Sequence, residues 1–224
     1  RIANAVDFFD PMTYDFYVTA DDMPADHQSR YHSNAQGGYS IEQLMQYYHS
    51  VGVPSNKISL GVPAYAISEF GVPANGKPGD PAFGHVKTTA EGMSGLGNGV
   101  FSYKCLLADQ NAWPLVDGCS NLEAGLHSYL PASYHHAGDS DNAAILAPWF
   151  IATDGANRAL FSFDDAQSVN LKMQQIQSLQ DNYATKGGYI WELDMDVSPL
   201  DSAYYASHSL LEALYQSMKA KSLT

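Results

Sequence analysis

Apolar residues recur along the chain at two alternating periods, and a long middle stretch obeys neither. Val6, Phe8, Phe9 and Met12 mark a strand over 6–12 that runs into the polar tip Thr13-Tyr14-Asp15. Ile41, Leu44, Met45 and Tyr48 follow Ser40 at i, i+3, i+4 and i+7, the pattern of an amphipathic helix behind its N-cap. Gly52 stops that helix, and after Pro54 the run Lys57 to Val62 predicts the next strand. From about Ile67 to Arg158 the chain is rich in Gly, Pro and Asn with short apolar runs. A structureless loop of that length is implausible in a packed domain, so a loop-rich insertion or small α+β module is expected there. The rhythm returns at Asp164-Asp165, which starts a helix with Val169, Met173, Ile176 and Leu179 on one face. Gly187-Gly188 ends it, Tyr189 to Leu193 reads as a short strand, and Ser202 to Lys219 as a last helix. Its inward residues are Tyr204, Leu210, Leu211, Leu214 and Met218. Strand, helix, strand, insertion, helix, strand, helix is the order of a parallel α/β sheet or barrel.

Composition narrows the class. The 224 residues carry 11 Lys plus Arg against 24 Asp plus Glu, a net charge of -13, and 45% are hydrophobic. That apolar share can build a core, which excludes a disordered or collagenous chain. No apolar run approaches the roughly 20 residues that cross a bilayer, so no membrane association is expected. The acidic balance excludes nucleic acid as a natural partner, because phosphate binding needs clustered Lys and Arg. Few charges and 15 Tyr suit a surface that meets neutral, ring-shaped ligands. Cys105 and Cys119 are either two reduced core residues or a pair closing a loop of about 15 residues, worth roughly 3 kcal/mol and implying export. The opening Arg1-Ile2-Ala3 reads as that of a processed or excised piece, which leaves localisation undecided.

Chemistry in α/β folds gathers where strands end. The densest such cluster is Met12-Thr13-Tyr14-Asp15-Phe16-Tyr17, where a phenol and a carboxylate stand side by side at a strand tip. They can hydrogen-bond one polar ligand from two directions, or simply be a satisfied tyrosine and a capping aspartate. Trp191 beside Glu192 is either a flat floor for a sugar face or a core residue. His135-His136 reads as a solvent-facing loop pair, and Asp164-Asp165 as a helix N-terminus complementing the macrodipole. No Cys/His cluster has metal-ligand spacing, so no metal is expected.

Four segments together resemble a family. Met12-Thr13-Tyr14-Asp15-Phe16 is similar to the MTYDF element at the sixth barrel strand of family 18 glycoside hydrolases, the chitinases. Lys57 to Tyr65 resembles the seventh strand, which usually ends in GxPxYGR. Ser162-Phe163-Asp164-Asp165 resembles the SYDD element before the seventh helix, and Gly187 to Asp196 the eighth strand, GGxMxWELxxD. Order and spacing agree over nearly the whole chain. Val100 to Cys105 is similar to the G-x-Y-x-E-I-C stretch of the family's chitin insertion domain, with Lys104 where an acidic residue is common. Ala66-Ile67 replaces the Gly-Arg of GxPxYGR.

The resemblance implies a partial TIM (β/α)8 barrel with a small α+β insertion domain. Residues 1–66 and 159–224 would be barrel segments, and 67–158 the insertion. Removing 67–158 leaves about 132 residues, close to four units of a barrel of roughly 250 residues. The family's acid motif, DxxDxDxE, occurs nowhere in these 224 residues. The resemblance therefore implies the carboxyl-terminal part of a chitinase, completed by an N-terminal companion segment and inactive alone. Tyr14 would donate its hydroxyl to the substrate's acetamido oxygen, and Asp15 would hydrogen-bond the sugar. Met12, Phe16, Tyr103 and Trp191 would line the substrate groove, with Trp191 beneath the sugar ring. The implied partner is chitin or chito-oligosaccharide, no cofactor is needed, and a family member of this kind is secreted. A chitinase-like lectin, which keeps the groove and loses the acid, is the alternative; an endo-acting enzyme on N-linked glycans uses the same acetamido chemistry.

Overall fold

Ser40 opens the first helix in the computed structural model, which describes residues 2–17, 25–33, 38–73, 75–80, 99–106, 130–140, 143–154, 157–178, 187–197 and 207–221. Its hydroxyl accepts the Gln43 N–H at 3.3 Å, and α1 (Ile41–Ser50) buries Ile41 and Met45. After it come the parallel strands β1 (Ser59–Pro63) and, far along the chain, β7 (Gly187–Trp191), paired from Ser59↔Gly187 to Pro63↔Trp191. Every residue of β1 is buried, as expected of a parallel strand covered on both faces. Two helices, α3 (Ala166–Ser178) and α4 (Leu210–Lys221), pack on each other, and α4 also packs on β7. Gly188 permits the contact with α4: a Cβ there would lie 2.6 Å from Leu214 Cδ1 and 2.9 Å from the Leu60 carbonyl oxygen.

The segment 6–12 differs from the strand its pattern predicts. A ladder needs repeated pairing, and only Phe9 is bridged, parallel to Ile58. The Phe9 N–H donates to the Lys57 carbonyl at 2.7 Å and its carbonyl accepts from Ser59 at 2.9 Å. The last helix also starts later than expected, at Leu210. The Asp196 carboxylate receives the Leu210 and Leu211 N–H groups at 3.0 and 2.9 Å and so caps it from a distance. Its buried stripe is Leu210, Ala213 and Leu214 with Met218 packed beside it, in the expected phase, except that Leu211 turns outward. Leu179, Ser202 and Tyr204 lie outside the described residues.

The middle of the chain holds a five-stranded antiparallel sheet in the order β3-β2-β6-β5-β4. Its strands are β2 (Tyr65–Phe70), β3 (Val100–Ser102), β4 (Leu130–His135), β5 (Trp149–Asp154) and β6 (Asn157–Ser162). The sheet reaches past both limits of 67–158, because β2 starts one residue after β1 and β6 pairs with it from Ile67↔Ser162. One face stacks Phe150 on Phe161, ring centroids 4.8 Å apart, with Phe101 edge-on. His135 is not a loop residue: it closes β4 and stacks flat on Trp149 at 3.9 Å, while His136 is exposed beside Tyr134. After β3, α2 (Tyr103–Leu106) carries Cys105, which is disulfide-bonded; Cys119 lies outside the described residues.

Asp164 and Asp165 divide the work of starting α3. Asp165 caps it, accepting the Ser168 N–H at 2.6 Å. Asp164 is buried in an ion pair with the buried Lys172, and its carboxylate also accepts the Ser29 and Ser168 hydroxyls, each at 2.6 Å. Among the described residues no helix is long and apolar enough to cross a membrane, and no group of His, Cys, Asp and Glu is gathered as a metal would require.

Candidate active site

Thr13 decides where the polar tip begins. Its fully buried side chain donates to the Gly61 carbonyl at 2.5 Å and accepts the Gly61 N–H at 2.8 Å, fastening the tip to β1. Gly61 has no room for a side chain, since a Cβ would stand 2.7 Å from the Tyr189 hydroxyl and 3.0 Å from the Pro11 carbonyl. The register Gly61↔Tyr189 thus lays the Tyr189 phenol across β1, where it donates to the Pro11 carbonyl at 2.9 Å.

Tyr14 packs edge-on against two tyrosines, Tyr65 at 6.1 Å and Tyr189 at 6.4 Å between ring centroids. Asp15, the next residue, is exposed and holds a left-handed backbone at φ +57°, with its Oδ1 accepting the Tyr65 hydroxyl at 2.6 Å. Burial raises the Tyr14 pKa, the neighbouring Tyr189 hydroxyl offsets part of that, and the Asp15 charge adds to it. Tyr65 and Tyr189 are pushed above the ordinary tyrosine range, by burial first; donation to Asp15 adds to Tyr65, and contact with the Tyr14 hydroxyl to Tyr189. All three phenols therefore remain protonated donors at neutral pH.

Trp191 lies two residues beyond Tyr189 and so on the same face of β7. It is 54% exposed, with no ring contact among the described residues, and the peptide joining it to Glu192 is cis. Met12 is 69% exposed at the start of the same tip. Phe16 is half-buried against the main core, and its N–H donates to the Gln28 carbonyl at 2.9 Å. Tyr103 stands elsewhere: it is 0% exposed and donates its hydroxyl to the His208 carbonyl at 3.0 Å. Enclosed in this way, it offers no surface to a ligand, contrary to the groove-lining role expected for it.

The cluster thus joins Tyr14 and Asp15 with Tyr65 and Tyr189, neither of which the sequence singled out. The signal for Tyr189 was present as its two-residue spacing from Trp191. Behind them, the buried Gln28 amide donates to the Tyr65 carbonyl at 2.8 Å and the Ser162 carbonyl at 3.3 Å, so the segment after the tip fixes the base of Tyr65. Several neutral hydroxyl donors, one exposed carboxylate and one open indole face can hold a polar ring by its rim and its face.

These features belong to a known class. The family model for glycosyl hydrolases family 18 matches residues 1–196, and the chain belongs to that family. It is 24% identical over 212 residues to Chitinase 1 of Aphanocladium album, covering 93% of this chain and 40% of that protein. Its fold is similar to human YKL-39, described as a pseudo-chitinase with retained chitooligosaccharide binding, at a TM-score of 0.66 and 20% identity over 97% of this chain and 52% of that one. It is likewise similar to a class V chitinase from Nicotiana tobaccum, TM-score 0.63 and 16% identity over 96% of this chain and 49% of that chain. The chain spans between two fifths and about half the length of these relatives.

Proposed function

We propose that this chain is the carboxyl-terminal, sugar-holding part of a secreted chitinase that cleaves β-1,4-linked N-acetylglucosamine. The observation that carries the reading is the Tyr14–Tyr65–Asp15 arrangement at the end of the parallel pair, with Trp191 exposed on the Tyr189 face. In the reaction the substrate's acetamido oxygen bonds to the anomeric carbon as the glycosidic carbon–oxygen bond breaks. The leaving oxygen takes a proton from a glutamic acid on the companion segment, and water later opens the intermediate with retention. Tyr14 donates to the acetamido oxygen, Asp15 accepts a sugar hydroxyl, Met12 and Phe16 edge the pocket, and Trp191 lies under the ring.

A companion segment is supported by surfaces left uncovered. Among the described residues β7 pairs only with β1, and 6–12 makes a single bridge. Phe8, Asp10, Ser59, Gly187, Gly188, Tyr189 and Met218 line a hollow of about 330 Å³ beside that edge. Further parallel strands would cover both, completing a barrel from which the antiparallel sheet stands out as the insertion. The disulfide at Cys105 supports export.

The second reading, a chitin-binding lectin, is favoured by the likeness to the pseudo-chitinase. Hydrolysis of a fluorogenic chitobioside separates the two. The 224-residue chain alone is expected to be inactive, because general acid catalysis contributes about 10²–10⁴-fold. The chain joined to its companion is expected to turn over, and binding without turnover in that assembled form would establish the lectin.

A further inference from the structure

Trp191 has no ring partner among the described residues, and hydrogen bonds to the segments on either side of it bear on its direction. The near side is held by Ala64, whose N–H donates to the Trp191 carbonyl at 2.8 Å. The Ala64 carbonyl in turn accepts the Tyr103 N–H at 2.9 Å. The residue after Tyr103 is Lys104, whose ammonium donates to the Asp194 carbonyl at 2.7 Å. Asp194 sits in the short 3-10 turn Leu193–Met195 that follows β7. Three hydrogen bonds and the chain itself therefore close a ring through Trp191, Ala64, Tyr103-Lys104 and Asp194.

The members of this ring are unequal. Ala64 is fully buried between β1 and β2, and Tyr103 is anchored by its hydroxyl and by the disulfide two residues on, so both are fixed points. The turn is the more exposed side, with Leu193 61% exposed and Asp194 exposed, while Met195 at its end packs on the hydrophobic core. Its far end is secured where Asp196 caps α4. Between that anchor and Trp191, the Lys104 ammonium is the side-chain tie across the turn.

We infer that Lys104 is a positioning residue for Trp191: it ties the turn after β7 to α2 and thereby helps set the direction of an indole that has no ring partner among the described residues. The inference rests on the reading of Trp191 as a sugar platform only for what the ring is held to do. A charged donor on a carbonyl suits this task, being roughly twice as strong as a neutral one. The alternative is an ordinary exposed lysine contact that leaves the indole unaffected.

The test is made on the assembled protein with ¹⁵N-labelled tryptophan, the Trp191 indole N–H signal being assigned by Trp191→Phe. Lys104→Met keeps the side chain's length and removes its donor, whereas Lys104→Arg keeps a donor. With Lys104→Met, the Trp191 signal is expected to shift and broaden while that of buried Trp149 stays in place, and Lys104→Arg is expected to restore it. An unmoved Trp191 signal in Lys104→Met would overturn the inference, as would equal displacement of the Trp149 signal. Titration of the assembled protein and its Trp191→Ala variant with chitotetraose tests the platform separately. Unchanged affinity there, with a Trp191 signal that still follows Lys104, would remove the platform reading and leave the tie standing.

Discussion

Tyr65 donates its hydroxyl to Asp15 Oδ1 at 2.6 Å, joining the first residue of the antiparallel sheet to the polar tip ahead of the parallel pair. Asp15 meets it from a left-handed backbone, φ +57°, a region most side chains avoid. The Tyr65 end is fixed by Gln28, whose amide holds its carbonyl, while the Gln28 carbonyl accepts the N–H of Phe16. Both ends of this bond are thus placed by buried neighbours before any ligand arrives.

That geometry ranks substitutions at Asp15. Asn tolerates the left-handed region and can still accept the phenol's hydrogen bond, so Asp15→Asn should stay within about 0.5 kcal/mol of the parent. Asp15→Ala loses the bond and keeps the unfavourable backbone, for a cost of about 1–2 kcal/mol. Urea denaturation of the two variants checks the order, and equal stabilities would contradict it.

The ion pair of Asp164 with Lys172 is buried on both sides. Lys172→Met leaves a carboxylate without its counter-charge, and Asp164→Leu leaves the ammonium; each should cost about 3–5 kcal/mol. The double variant should be more stable than either single one, because no bare charge remains. A double-mutant cycle in urea measures this coupling.

Stability should also respond to pH through His27. Burial, then the positive charge of Lys172, lowers its pKa to about 3 from an ordinary 6.5, so the folded state keeps it neutral. The unfolded chain takes up a proton below pH 6.5 that the folded chain refuses until about pH 3. The His27 contribution is thus complete above pH 6.5 and is lost as the pH falls towards 3, by at most about 1.4 kcal/mol per unit. Between pH 6.5 and 5, before most carboxylates titrate, His27→Gln should flatten the fall in melting temperature; an identical slope would contradict this.

The parts of this fold written locally were legible in the sequence. Ser40 with Ile41 and Met45 located α1, and Val169, Met173 and Ile176 located the buried face of α3. The parts written by distant pairing were not. Tyr189 joins the tyrosine cluster because β1 and β7 pair in a register that sets it on Gly61, which no local window contains. The middle strands were hidden for the same reason, β2 finding its partner β6 only after the whole intervening module. Tyr103 was misplaced because a short aromatic segment reads alike whether it faces a groove or a core. The helix opening at Leu210 depends on Asp196, a cap supplied from well upstream of it.

Trp191→Ala separates a platform from a core residue. Truncating a core Trp costs about 3–5 kcal/mol. At 54% exposure and with no ring partner among the described residues, Trp191 should cost about 2 kcal/mol by the apolar area it covers. A thermal melt reads this directly, and a core-sized loss would contradict the placement of the ring.

The most direct test of the proposed sugar-holding site is Tyr14→Phe in the assembled protein, assayed with a fluorogenic chitobioside. The variant keeps the packing of Tyr14 against Tyr65 and Tyr189 and removes only the hydroxyl proposed to donate to the acetamido oxygen. Turnover should fall by about 10²–10³-fold while KM changes little, the loss typical of one donor to developing charge. Activity within twofold of the parent would contradict the assignment and return Tyr14 to a purely structural place at the strand tip.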